Sequence, residues 1–392
     1  MQTLDSKNSL FFHYLALFYV KMAFSCHFSP NILYLCSMKL HIFNPEHDLA
    51  LAANLRQFTA PHAGRQLRSD LAFIPALWAD QGDWVLVDDI DNALDKVRHL
   101  GMHLAEKVEF ITKAQLEHAL KTEFLDSIHP WGWNLSLKRE LEQMRVPEIM
   151  LPTDDILNKV RAISSRQWAA EHLQQGVVYA DSYQEVKELV LQHGKAVVKA
   201  PWSSSGRGVK YVAADEFRTA GEYPAFERWT RNVIAHQGGV TVEPYYNKVK
   251  DFGMEFEMRD GKVNYLGLSL FDTVKNAYSG NLLCSEEDKQ NMLLQYVNQE
   301  TLAAACQRIM DIMEPALKDV YSGPFGVDMM IASKNDELEL VPCIELNLRR
   351  TMGHVALELA KIANPQSLMR VEFDGNRYHL RVMPGKQTVN ES

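Results

Sequence analysis

The chain has 392 residues, 46% of them hydrophobic and 23% charged, enough apolar material for two or three domains with their own cores, which excludes a disordered chain as the starting point. A formal net charge of -9, with a pI near 5.9 and no Lys/Arg-rich block, excludes a dedicated nucleic-acid binder, because neutralising phosphates takes a basic face. The 5 cysteines (Cys26, Cys36, Cys284, Cys306, Cys343) show no Cys-x-x-Cys spacing, so neither a disulfide framework nor a zinc site is expected, and a cytoplasmic home follows.

The first 37 residues differ from the rest. The stretch "LFFHYLALFYVKMAF" is apolar but interrupted by Lys21, too short to span a bilayer, and without the basic start or small-residue cleavage site of a signal peptide, so no membrane partner is expected. The following "MKLHIFNPEHDLAL" reads as a fresh start at Met38, and residues 1–37 are expected to be an upstream N-terminal extension outside the native protein. A weak signal or anchor is the competing reading.

From Met38 to residue 152, apolar runs alternate with helical stretches: "KLHIF", "SDLAFIPALWADQ", "DWVLVDD", "NALDKVRHLGMHL", "VEFIT" and "KAQLEHALKTEFL". This spacing predicts an open α/β domain with a parallel sheet, whose ligands sit beyond the carboxyl ends of the strands. "NPEHD", Asn44 to Asp48, follows the first strand and falls at that edge.

Residues 153–240 form a second region: a helix in "SSRQWAAEHLQQG", the strand "VVYA", the helix "SYQEVKELVLQHG", and the strands "KAVVKA" and "VKYVA" around a small-residue loop. Residues 241–392 form a third, with "GVTVEPYY", the hairpin "FGMEFEMRDGKVNYLGLSLF", a long helix "NQETLAAACQRIMDIMEPALKDVY", the hairpin "FGVDMMIASKNDELELVPCIELN", and the helix "TMGHVALELAKIA". Methionine, isoleucine and leucine at helical spacing in the long helix favour a core face over a dimer face.

Two constellations carry chemistry. In "VVKAPWSSSGRGVKYV", Lys199 precedes a loop of small residues, Ser203 to Gly208, whose backbone N–H groups can converge on an anion. The loop lies between strands, and neither a P-loop nor a dinucleotide fingerprint fits it; an ordinary hairpin tip is the alternative. In the last hairpin the period of two puts Asp328 opposite in direction to Phe325, Val327, Met329 and Ile331, and puts Glu345 and Asn347 on one face. With a turn at Asn335-Asp336, Asp328 is expected nearly opposite Cys343 and diagonal to Glu345. Two carboxylates and an amide oxygen there suit Mg²⁺, unless the face is simply solvated. Arg349 and Arg350 follow at once, placed to clamp a phosphate or a carboxylate.

The order of these features resembles the ATP-grasp superfamily, and in particular its carboxylate-amine ligases. A lysine before a small-residue loop, then "VEPYY", then Asp on one strand and Glu-x-Asn on the next followed by Arg, is that family's order. The resemblance covers residues 150 to 385 and implies a two-lobed grasp fold, α+β, preceded by the α/β domain. It implies ATP and Mg²⁺ as cofactors, with Mn²⁺ as a substitute. By position it makes Lys199 the phosphate lysine and Ser203, Ser204, Ser205, Gly206 and Gly208 the phosphate loop. Arg166 falls at the earlier basic residue, Glu243 and Tyr245 at the adenine hinge, and Asp251 at the ribose acid. Asp328, Glu345 and Asn347 match the metal ligands, and Arg349 the arginine at the reacting phosphate. Leu348 stands where proline is frequent and Asp251 where glutamate is commoner.

The implied activity is ATP-dependent ligation through an acylphosphate, forming ADP and phosphate from a small-molecule acid and amine. A kinase acting on a hydroxyl and a non-catalytic nucleotide-binding protein are the alternatives. Substrate candidates are Glu46, His47, Asp48 and Arg350, with "HPWGWN" (His129, Trp131, Trp133, Asn134) as a second cluster and Lys248, Lys250 and Lys275 as further basic residues. Capping, core packing or a solvated face would explain each as well. A homo-oligomer is left open.

Overall fold

The computed structural model describes residues 38–203, 208–219, 224–274 and 277–384. The N-terminal segment 1–37, Ser204, Ser205 and Gly206 of the loop, and Lys275 lie outside the described residues. The chain divides into two compact units, one holding 72–130 and 141–151 together with the stretch ending at Phe43, the other holding 44–71, 131–140 and 152 onward.

The first unit carries the parallel sheet. Strands β1 (Lys39–Ile42), β2 (Trp84–Leu86), β3 (Glu109–Ile111) and β4 (Ser127–Pro130) lie in the order β3-β2-β1-β4, every pair parallel. Leu40, Ile42, Trp84, Val85, Leu86 and Phe110 are buried, as near-continuous apolar strands of a parallel sheet should be. The helix Ile90–Leu100 starts at Asp89, which accepts from the Asn92 amide, and Lys113–Ala119 starts at a Thr112/Gln115 capping box. One expectation changes: "SDLAFIPALWADQ" is not one helix. The helix His62–Leu71 ends inside it, and Pro75, which has no N–H to donate, sits in a separate 3-10 turn, Ile74–Leu77.

Among its described residues the second unit contains three antiparallel sheets. Strands β5 (Val178–Ala180), β6 (Lys195–Lys199), β7 (Val209–Ala213) and β8 (Val240–Pro244) form the smallest, in the order β5-β8-β6-β7. Val186 and Val190 of the helix Tyr183–His193 and Phe226 and Val233 of the helix Pro224–Gln237 close one side of it. The longer strands β9 (Asn247–Arg259), β10 (Lys262–Ser269), β13 (Gly323–Lys334) and β14 (Glu337–Asn347) pair as β10-β9-β13-β14. Strands β11 (Phe271–Val274), β12 (Ala277–Leu283), β15 (Ser367–Phe373) and β16 (Tyr378–Met383) make the third sheet.

One face of the long sheet is apolar. Phe252, Phe256, Phe325, Val327 and Met329 are fully buried, and Phe256 stacks on Phe325 with ring centroids 5.2 Å apart. Each such ring contributes about 1.5–3 kcal/mol. Leu302, Ala305, Ile309, Met313 and Leu317, at spacings of three and four, bring the helix Gln299–Leu317 into the same core. Its methionine-bearing stripe therefore serves the core, as the periodicity predicts. Because one face is so firmly placed, the opposite face, bearing Asp328, Glu345 and Asn347, is fixed with it.

Candidate functional site

The β13–β14 hairpin turns at Asn335 and Asp336, both in the left-handed region, as expected. Its register does not run straight. Met330 faces Val341, but Asp328 faces Glu345, so Pro342, Cys343 and Ile344 oppose the single residue Met329. Asp328 is thus directly opposite Glu345 and not Cys343, a correction to the simple count. The cause lies in the sequence: Pro342 cannot donate to a ladder, and on an edge strand a bulge absorbs it. The carbonyls turned out of the ladder find other donors. Gln174 Nε2 donates to the Cys343 and Ile344 carbonyls at 3.2 Å each, and Lys199 Nζ donates to that of Ile344 at 3.4 Å.

Lys199 ends β6 and is buried, with its ammonium 2.6 Å from Glu243 Oε1 on β8. Beyond it the Ala200 amide donates to the Gly208 carbonyl at 2.8 Å, closing the described base of the small-residue loop. Gly208 is pressed on Ser203: an added Cβ would come within 2.3 Å of the Ser203 Cβ. Arg166 opens the helix Arg166–His172, capped by Ser165. Its Nη1 donates to the Ala200 carbonyl at 2.6 Å and to Ser203 Oγ at 2.9 Å, and its Nη2 reaches Glu345 Oε1 at 2.5 Å. One guanidinium therefore ties the loop base to the carboxylate strand.

The two polar clusters "NPEHD" and "HPWGWN", distant in sequence, meet. Asn44 Nδ2 donates to the Gly132 carbonyl at 2.8 Å and Asn44 Oδ1 accepts from the Gly132 amide at 3.3 Å. His47 Nδ1 lies 3.2 Å from Asn134 Nδ2, and Gly132 has no room for a Cβ, which would meet the His47 ring at 2.6 Å. Asp48 takes a two-pronged bond from Arg349, Nε to Oδ1 at 2.9 Å and Nη2 to Oδ2 at 2.7 Å. Arg349 Nη2 also donates to Asn347 Oδ1 at 2.9 Å, and Asn347 Nδ2 to Asp328 Oδ2 at 3.3 Å. A continuous chain of bonds thus runs from Asp48 through Arg349 and Asn347 to Asp328.

His47, Asp48, Arg166, Ser203, Glu345 and Asn347 line one narrow cleft. Burial drives the His47 imidazole down to about 4, against the pull of Asp48, so it is neutral at pH 7. Burial alone would raise the Asp48 carboxyl, but Arg349 holds it below the ordinary range. Burial also lowers the Arg350 guanidinium, to about 10. Asp328 goes the other way: burial, then the Glu345 and Glu255 carboxylates, push it well above the usual value. Opposed carboxylates of this kind are relieved by a cation. No three His, Cys, Asp or Glu side chains among the described residues cluster as a metal cage. Asp328 and Glu345 instead fit an ion that keeps several positions for water and phosphate oxygens, as Mg²⁺ does, while the Asn347 amide oxygen, expected as the third ligand, is taken by Arg349 and its amide nitrogen is turned to Asp328.

Other predicted residues lie apart from the cleft lining. Glu46 accepts from Arg68 at 2.9 Å, while Arg68 also forks onto Glu140. Tyr245 is partly exposed beneath Lys195, whose ammonium is 3.4 Å from the ring centroid. Asp251 accepts from Lys248 at 2.6 Å, Lys250 lies 3.1 Å from Asp272, and the Arg350 amide donates to the Trp131 carbonyl at 2.9 Å. Trp131 is buried, and His129 belongs to the other unit, bonded to Ser127 at 2.9 Å. Sequence reasoning missed Glu255, a buried carboxylate on β9 that accepts from Thr351 Oγ1 at 2.8 Å and lies 3.0 Å from His354 Nδ1. Side chains at Gly326 or Gly353 would collide with it, at 2.5 Å and 1.8 Å. The acidic residue in "MEFEM", together with glycines on the facing strand and in "TMGH", was the available signal.

No family model and no curated protein matches the chain. Solved structures do. An N5-carboxyaminoimidazole synthetase from Staphylococcus aureus, complexed with ADP, is 12% identical, with 86% of this chain and 82% of that one covered, at a TM-score of 0.41. A biotin carboxylase from Campylobacter jejuni is 14% identical, covering 86% and 75% at 0.47. A phosphoribosylamine–glycine ligase from Thermotoga maritima is 11% identical, covering 85% and 80% at 0.48. No helix among the described residues is long and apolar enough to cross a membrane.

Proposed function

We propose that the chain is a Mg-ATP-dependent ligase of the ATP-grasp kind, joining a small carboxylic acid to an amine or another nucleophile. The observation that carries this reading is the convergence at one bulged hairpin of two opposed carboxylates, Asp328 on β13 and Glu345 on β14, with Arg166 and the small-sheet residue Lys199 both reaching β14. Residues 153–240 and 241–392 then act as the two lobes around the nucleotide, with 38–152 as the preceding domain and the cytosol as the compartment.

In this reading Lys199, Arg166 and the loop from Ser203 to Gly208 hold the triphosphate, Glu243 and Tyr245 face the base, and Asp251 the ribose. Asp328, Glu345 and Asn347 hold Mg²⁺, which supplies charge neutralisation on the phosphates. The acid's carboxylate oxygen attacks the γ-phosphorus, the bond to the β-phosphate oxygen breaks, and ADP leaves. An amine then attacks the acyl carbon of the acylphosphate, loses a proton, and phosphate departs. Arg349, held by Asp48, stabilises charge on the transferring group, and the loop keeps water from the acylphosphate. Glu46, His47, Asp48 and Arg350 are assigned to substrate.

The test is calorimetry of a non-hydrolysable ATP analogue with and without Mg²⁺. Tight binding that collapses in Lys199→Ala and loses its Mg²⁺ dependence in Glu345→Gln is expected. A folded wild type that binds no analogue ends the nucleotide reading. Product analysis then separates a ligase from a kinase.

A further inference from the structure

Arg166 is 7% exposed, and its guanidinium is divided between two parts of the site. Nη1 donates to the base of the small-residue loop, to the Ala200 carbonyl at 2.6 Å and Ser203 Oγ at 2.9 Å, while Nη2 lies 2.5 Å from Glu345 Oε1. Nε, on the same edge of the guanidinium as Nη2, has no hydrogen-bond partner among the described residues. That edge is a fork suited to two oxygens, and Glu345 fills one prong of it. The helix Arg166–His172 roots the side chain, with Ser165 as its cap and the Arg166 amide donating to the Pro201 carbonyl at 3.1 Å.

Glu345 is also one of the two carboxylates that suit a divalent cation. A guanidinium on Glu345 puts a positive charge beside that cation's place, and like charges a few ångströms apart repel. The neighbouring groups do not offset this. Asp328 Oδ2 receives the Asn347 amide nitrogen at 3.3 Å, and Asn347 Oδ1 is taken by Arg349 at 2.9 Å. Arg349 has its own counter-ion in Asp48, whereas the anion paired with Arg166 is Glu345 itself. Because the same guanidinium holds the loop base, whatever draws it towards the loop releases the carboxylate.

We infer that Arg166 shields the cation site: it stays on Glu345 until the triphosphate takes up its charge, and only then does Glu345 hold the metal at full strength. Metal and nucleotide therefore bind as a coupled pair, each tightening the other by the same factor. This rests on the ligase reading and adds to it a second role for Arg166, the refusal of metal that arrives without nucleotide.

The test titrates Mn²⁺ onto the full chain without nucleotide, with the free ion followed by electron paramagnetic resonance. Arg166→Met should bind Mn²⁺ about tenfold more tightly than wild type, because a like charge beside the site is gone. Arg166→Lys, which keeps the charge, should gain about threefold at most, and adding Glu345→Gln to Arg166→Met should abolish the gain. If thermal melting shows Arg166→Met unfolded, Arg166→Gln, which keeps an N–H for the Ala200 carbonyl, carries the same expectation. Equal Mn²⁺ affinity in wild type and the uncharged Arg166 variants, or a gain that survives Glu345→Gln, would overturn the proposal. The two readings fail separately. Mg²⁺-dependent binding of the ATP analogue beside unchanged Mn²⁺ affinities keeps the ligase reading and ends the shield, whereas a Glu345-dependent gain in a chain that binds no analogue keeps the shield and ends the ligase reading.

Discussion

The small sheet β5-β8-β6-β7 and the long sheet β10-β9-β13-β14 both bury charge, and they do it differently. In the small sheet Lys199 meets Glu243 at 2.6 Å, one cation to one anion. In the long sheet Asp328 faces Glu345 with Glu255 nearby, and the cations that come near them are each shared with another partner: Arg166 with the loop base, Arg349 with Asp48. The Lys199–Glu243 pair is settled in charge, though its lysine still reaches the Ile344 carbonyl of the bulged strand. An acidic excess in a buried place favours a bound cation, and it marks where chemistry is to be sought.

Four experiments press on that contrast. Lys199→Met should strand Glu243 and cost about 3–5 kcal/mol in urea unfolding, whereas the double variant with Glu243→Leu should recover most of it. A double variant as unstable as the single would erase the distinction between the sheets. Next comes acid. The imidazole of His47 is displaced from 6.5 to about 4 by burial, so the unfolded chain takes up a proton there before the folded one. Stability should therefore fall as pH drops through 6.5 towards 4, by about 3 kcal/mol from this residue alone. The wild-type minus His47→Gln difference across that window isolates the term.

Gly132→Ala drives a Cβ into the His47 ring and should cost about 1–3 kcal/mol, read as a lowered Tm. The smallest effect has the opposite sign. Asp328→Asn removes a charge that burial and neighbouring carboxylates disfavour, so it should stabilise the chain by about 1 kcal/mol near neutral pH while weakening Mg²⁺-dependent nucleotide binding. Destabilisation by Asp328→Asn would place that carboxylate with the settled pairs.

Local patterns carried a large part of this architecture. Alternation over "FGVDMMIA" separates Phe325, Val327 and Met329 from Asp328 because a strand has a period of two, and the caps at Ser165, Ser182 and Asn298 are written beside their helices. What the residues could not show by themselves was contact at long range. The pairing of Arg349 with Asp48 spans about three hundred positions, and nothing near either residue encodes it. The junction of "NPEHD" with "HPWGWN" likewise depends on Asn44 and Gly132 meeting in three dimensions. The count from the turn to Asp328 failed for a nearer reason: Pro342 was read as one more strand residue, when its missing N–H breaks the count.

The bulge at Pro342 gives the hairpin two separate phases. From Met330 to the tip at Asn335-Asp336, strand pairing follows the turn; from Asp328 inward it answers to the neighbouring strand β9 and to the donors Gln174 and Lys199. The tip can therefore change in length or sequence, with the slack taken up at the bulge, without moving the two carboxylates relative to each other.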